Sequence, residues 1–155
     1  MAQEIERKFL VSGDFKAEAI SSVSITQGYL CSDPERNVRI RTKGNKAFIT
    51  IKGATHDNGT SRFEWEQEIP FYDALDLLQL CEPGIIEKTR YLIPIDDHVF
   101  EVDEFHGLNE GLVLAEIELD NISEKFKKPD WLGKEVTGDI RYYNASLLKS
   151  PFTNW

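Results

Sequence analysis

The chain predicts a mainly β fold of the α+β kind: an eight-stranded antiparallel β-barrel with a charged interior and peripheral helices. Three observations carry that expectation. Eight segments alternate with period two, compact turn signals join most of them, and on most of them one face is largely ionisable.

Residues 3–11 place Glu4, Glu6 and Lys8 on one face and Ile5 and Phe9 on the other. A short helix is expected after Asp14. The second strand, 24–31, carries Tyr29. The third, 36–43, sets Arg39, Arg41 and Lys43 against Val38, Ile40 and Thr42. Gly44-Asn45 turns it into the fourth, 46–53, where Lys52 opposes Ile49 and Ile51. A longer loop containing Asp57-Asn58-Gly59 leads to the fifth, 62–70. There Arg62, Glu64, Glu66 and Glu68 oppose Phe63, Trp65 and Ile69.

Tyr72 to Cys81 reads as a helix with leucines at 75, 77, 78 and 80, ended by Pro83-Gly84. Strand 86–94 then pairs Lys88 with Arg90 on one face. Strand 98–105 pairs Glu101 with Asp103, and 112–120 pairs Glu116 with Glu118. Further helices are expected over Ile122 to Lys127 and Tyr142 to Lys149, with Pro151 beyond. The histidines at 56, 98 and 106 follow no metal-ligand spacing and are expected in turns.

At 155 residues the chain fits one domain, 1–155, able to bury a core without disulfide staples. Cys31 and Cys81 stand far apart with no CxxC, which points to reduced thiols and a cytoplasmic protein. The first residues do not read as a signal peptide, and no stretch is long enough to span a membrane. A net charge of −9 argues against a nucleic-acid surface. A homodimer is left open.

Solvent faces of sheets usually mix Thr, Ser, Gln and Lys. Here the alternating faces are nearly all ionisable, with many arginines, so a closed barrel with apolar residues outside and charges inside explains them better. Charges so enclosed must pair, or bind metal or substrate. Arginine forks and lysine ammonium groups hold phosphate oxygens, while carboxylates without His or Cys favour hard cations such as Mg²⁺ or Mn²⁺. Together they fit a phosphate chain clamped by cations and bridged to carboxylates by metal.

At these residues the sequence resembles the CYTH family, the triphosphate tunnel metalloenzymes. Glu4-Ile5-Glu6-Arg7-Lys8 matches that family's ExExK signature. It is followed in order by Gln27-Gly28-Tyr29-Leu30, Arg39-Ile40-Arg41, Lys52, Glu64-Trp65-Glu66, Glu87-Lys88-Thr89-Arg90-Tyr91 and Glu101-Val102-Asp103. Ala115-Glu116-Ile117-Glu118-Leu119, Gly133-Lys134-Glu135-Val136-Thr137 and Arg141-Tyr142-Tyr143-Asn144 complete the series.

The resemblance implies that the barrel is a tunnel, with Glu4, Glu6, Glu116 and Glu118 as metal ligands and Lys8, Arg39, Arg41, Lys52, Lys88 and Arg90 as phosphate ligands. Glu4, Glu6, Lys8, Glu64, Glu66 and Glu118 would be catalytic. Glu64, Glu66, Glu101 and Asp103 would orient the basic residues, bind a second metal or position water. Tyr29, Glu101, Asp103, Arg62 and Lys134 are accessory candidates; the match extends less closely to Glu68 and Arg141. Arg62 and Glu68 either serve a tunnel mouth or are ordinary surface residues, and Tyr29 either packs within the barrel or touches Lys8 and gates it.

The implied activity is metal-dependent hydrolysis of a triphosphate-containing small molecule, inorganic tripolyphosphate first. The alternatives are a class IV adenylyl cyclase making cyclic AMP from ATP, a thiamine triphosphatase, and a non-catalytic polyphosphate or nucleotide sensor.

Overall fold

The strand pairing follows from the alternation. The computed structural model describes residues 2–155, and its sheet contains β1 (Ala2–Val11), β2 (Ser21–Asp33), β3 (Arg36–Lys43), β4 (Lys46–His56) and β5 (Ser61–Ile69). After helix α1 (Phe71–Gln79) come β6 (Ile86–Ile95), β7 (His98–Phe105), β8 (Val113–Glu118) and β9 (Leu132–Glu135), then helix α2 (Asn144–Lys149). The order is β5-β4-β3-β2-β6-β7-β8-β1-β9, and a further β5–β1 pairing closes the first eight into an antiparallel barrel. Closure removes the open edges that a flat sheet would present. No helix among the described residues is long and apolar enough to cross a membrane.

The ninth strand is one the alternation did not predict. β1 pairs along one edge with β8, from Glu6 opposite Glu118 to Leu10 opposite Leu114. Its residues Ala2 to Ile5 pair with β5, and Phe9 and Val11 pair with β9. Where β1 passes from one partner to the other, the β4–β5 turn and the loop after β9 press together at Gly59 and Gly138. A side-chain carbon on Gly138, whose φ is +80°, would stand 2.3 Å from the carbonyl oxygen of Asn58. Only glycine fits that approach.

Apolar residues cover the barrel from outside in two places. Phe9, Phe100, Val102, Ala115 and Ile117 pack with Phe15 and Trp131 under the chain that follows β8. On the opposite wall Ala74, Leu77 and Leu78 of α1 pack on Ile40, Ala47 and Ile49. Tyr91 also faces outward, its ring edge-on to Phe15 at 5.3 Å.

The expected helix over Ile122 to Lys127 is absent; that stretch is turn and irregular chain. Its polar groups serve local bonds instead. Glu124 accepts from the backbone N–H of Asp120 at 2.8 Å and pairs with His98, while Phe126 sits edge-on to Phe9 and Phe100. His98 opens β7 and His56 closes β4, so neither lies within a turn as expected.

The barrel interior is charged over only part of its length. On the inward faces Leu10, Ile86, Phe105 and Leu114 join Leu112, Val136, Tyr142 and Leu147 in a third apolar cluster. The C-terminal segment is thereby folded against one end of the barrel, and α2 borders the charged space.

Candidate active site: a cation-lined cavity

Inward positions of eight strands meet on a cavity of about 450 Å³, a volume suited to a small ligand. Of the residues expected from sequence, Glu4, Glu6, Lys8, Tyr29, Arg39, Arg41, Lys52, Arg62, Glu64, Glu66, Lys88, Arg90, Glu101, Glu116 and Glu118 all line it. Asp103, Glu68, Lys134 and Arg141 do not. Asp103 faces into the barrel but is covered by Lys88 and Arg90. Lys134 and Arg141 are exposed, and Arg141 is turned back onto Asp139 at 2.8 Å.

The cations divide into paired and unpaired. Lys52 meets Glu4 at 3.2 Å and Arg41 meets Glu66 at 3.2 Å. Asp103, 3% exposed, receives the fork of Arg90 at 2.8 and 2.9 Å and the ammonium of Lys88 at 2.7 Å. Lys8 is 3.7 Å from Glu116. Arg39 instead donates to the Thr50 hydroxyl at 3.3 Å, which donates in turn to Glu66 at 2.9 Å. Arg62 lies over the ring of Tyr143 at 5.8 Å. Among the described residues, neither Arg39 nor Arg62 has a carboxylate within ion-pair distance. The Nε atoms of Arg39, Arg41 and Arg62 are buried with no acceptor. These unmet donors favour an anion.

The proton affinities follow the same crowding. Burial lowers the Arg41 pKa to about 10, with Arg39 and Arg90 adding repulsion. Burial brings Lys88 down to about 8, although Asp103 opposes the shift. For Asp103 burial acts upward, but Arg90 and Lys88 hold it far below the usual carboxylate range. Burial also opposes the Lys8 ammonium, yet Glu116 and Glu6 outweigh it and its pKa is raised. Tyr29 is raised by burial against the pull of Arg39, Arg62 and Lys8.

Opposite the cations stands an acidic wall. Glu6 and Glu118 face each other across the β1–β8 ladder, and Glu116 is the next inward residue. Glu116 is raised by burial and then by Glu6; Glu118 is raised by burial, Glu6 and Glu101. Like charges held together in this way fit a hard cation, and every donor is an oxygen. Among the described residues no three of His, Cys, Asp and Glu converge as a ready-made cage.

Several lining residues escaped sequence reasoning because they are neutral or come from the tail. Asn37 has the inward parity of Arg39 and Arg41. Ser32 reaches the cavity because a register shift between Tyr29 and Cys31 changes the parity of β2. Tyr143 and Asn144 come from the turn entering α2. The Asn144 side-chain oxygen accepts from Lys88 at 3.2 Å, and the Tyr142 carbonyl accepts from Lys8 at 3.3 Å.

Comparison with known proteins matches this geometry. The CYTH domain model covers residues 2–150. An inorganic triphosphatase of Acetivibrio thermocellus is 48% identical over 100% of this chain and 99% of its own. One of Nitrosomonas europaea is 37% identical over 95% and 97% of the two chains. A crystal structure of an inorganic triphosphatase superposes with a TM-score of 0.67 at 36% identity, over 94% of this chain and 97% of that one. With the family model, the relatives and the charged barrel in agreement, the chain belongs to the CYTH domain family.

Proposed function

We propose that this protein hydrolyses inorganic tripolyphosphate in the barrel cavity, with Mg²⁺ or Mn²⁺, in the cytoplasm. The observation that carries the reading is the convergence of Lys8, Arg39, Arg41, Arg62 and Arg90 on one enclosed space faced by Glu6, Glu116 and Glu118. The relatives' names supply the reaction class, and the free thiols of Cys31 and Cys81 suit a reducing compartment.

In this reading the cations hold the phosphate oxygens, and Asp103 keeps the Arg90 fork and Lys88 aimed inward. Glu6, Glu116 and Glu118, with Glu4 beside Lys52, hold the divalent ion. When bound, that ion offsets charge on the phosphate oxygens and lowers the pKa of water. Glu64 and Glu66 stand on the same wall as the cations and orient them. Water adds to a terminal phosphorus and the bridging P–O bond breaks, so orthophosphate and pyrophosphate leave. Binding energy comes from the phosphates, because the cavity lining is mostly charged and Trp65 and Tyr91 lie on the outer face.

The test is steady-state kinetics with tripolyphosphate, ATP and thiamine triphosphate, with products separated chromatographically. The expected result is the highest kcat/KM for tripolyphosphate, loss of turnover in excess chelator, and near-abolition by Glu118→Ala with the fold intact. Cyclic AMP as the main ATP product, or full activity in chelator, would overturn it.

A further inference from the structure

One polar side chain in the barrel wall is neither charged nor paired. Gln27 on β2 is wholly enclosed, at 0% exposure, and neither atom of its carboxamide has a hydrogen-bond partner. Its inward neighbour across β3 is Arg41 and across β6 is Ile86. Two residues along β2, Ile25 fills the same kind of position with a purely apolar side chain. An unpaired buried amide costs free energy that Leu or Met of similar size would not. Packing therefore gives no reason for glutamine here.

Arg41 shows the complementary deficit. Its Nη2 donates to Glu66 at 3.2 Å, whereas its Nε is buried with no acceptor. When a phosphate takes the outer edge of that guanidinium, the inner N–H still needs an acceptor, or the fork is free to turn. A carboxylate at that place would neutralise the cation and compete with the phosphate. A carboxamide oxygen accepts the bond and leaves the charge available.

We propose that Gln27 is a positioning residue for Arg41: its Oε1 accepts from Arg41 Nε as the guanidinium leaves Glu66 to bind a phosphate. The proposal rests on the phosphate-clamp reading of the cavity. It adds that the clamp is aimed from behind by a neutral group on a third strand.

The experiment compares Gln27→Met, Gln27→Glu, Arg41→Ala and the Gln27→Met/Arg41→Ala double variant. Thermal unfolding, tripolyphosphate binding by calorimetry and steady-state kinetics are read for each. For Gln27→Met the expectation is an unfolding temperature equal to or above that of the unaltered protein. KM for tripolyphosphate should rise roughly tenfold, with kcat changed far less. Gln27→Glu should weaken binding more, because it gives Arg41 a permanent anionic partner. In the Arg41→Ala background, Gln27→Met should change KM no further.

An unchanged KM in Gln27→Met, or a rise of the same size with and without Arg41, would overturn the proposal. A purely structural role would lower the unfolding temperature without the coupling to Arg41. If the unaltered protein itself fails to bind tripolyphosphate, the phosphate-clamp reading fails, and the two failures are thus told apart.

Discussion

Lys88 is the side chain through which pH reaches the site most directly. It is almost wholly enclosed, it shares Asp103 with Arg90, and burial lowers its pKa to about 8 from 10.5. In the proposed role of phosphate ligand Lys88 must be charged, and it loses that charge as pH rises through this value. We expect kcat/KM to fall above about pH 8, read from the pH profile of the free enzyme. The sign for stability is opposite. Between about 8 and 10.5 the unfolded chain holds this proton more tightly than the folded one, so the Lys88 contribution to stability rises with pH across that window. Urea unfolding at several pH values should show the rise in the unaltered protein and its loss in Lys88→Met. The charged half of this chemistry was legible in sequence, since Lys88, Arg90, Glu101 and Asp103 betray their face by parity alone. Gln27, Asn37 and Thr50 were not. A neutral polar residue on a strand reads the same whether it faces solvent or a sealed interior, and only barrel closure distinguishes them.

The elements that cover the rest of β1 and seal one end of the barrel are the least visible from the pattern. β9 is four residues long and includes Gly133, so it offers no alternation to count, yet it completes the edge of β1 that β5 leaves. α2 has six residues, and a fully buried Leu147 holds it in the apolar end of the barrel. Strand positions with sustained alternation were read nearly to the residue, as β3 shows. The mistaken helix over 122–127 had two apolar residues and no firm cap, and tertiary bonds through Glu124 and Phe126 prevailed over weak local preference. Two substitutions test these junctions. Gly138→Ala forces a side chain into a left-handed backbone position against the Asn58 carbonyl, and should cost at least about 2 kcal/mol. Leu147→Ala opens a cavity beneath α2 and should cost about 2–5 kcal/mol. Chemical denaturation measures both.

Over the whole molecule, charge is sorted rather than balanced. The chain carries a net charge of −9, yet its cavity gathers arginines and lysines that outnumber their acidic partners at Arg39 and Arg62. The rim by Glu101 and Glu118 adds Asp97, Asp120 and Glu124. That rim repels a polyanion. Both walls of the empty cavity hold like charges that repel. Tripolyphosphate together with a divalent cation should relieve both at once and raise the unfolding temperature, increasingly as ligand exceeds its Kd. A thermal-shift titration checks this, and each component alone should raise it less than the pair.

The shared edge of β1 also sets the order in which the molecule can be completed. β1 leaves the ribosome before all of its partners, β5, β8 and β9, which come well after it in the sequence. The edge of β1 from Glu6 to Leu10 that faces β8 has no partner until β8 exists, and on the other edge Phe9 waits for Glu135. Such long-range pairing is slow to form and leaves a nascent strand unshielded meanwhile. The charges of Glu4, Glu6, Arg7 and Lys8 then have a second use before any ligand arrives. With Glu4 before Ile5 and the other three between Ile5 and Phe9, they break the apolar run that would otherwise invite β1 to pair with a neighbouring copy. The residues read as catalytic equipment thus also act as gatekeepers against aggregation during synthesis.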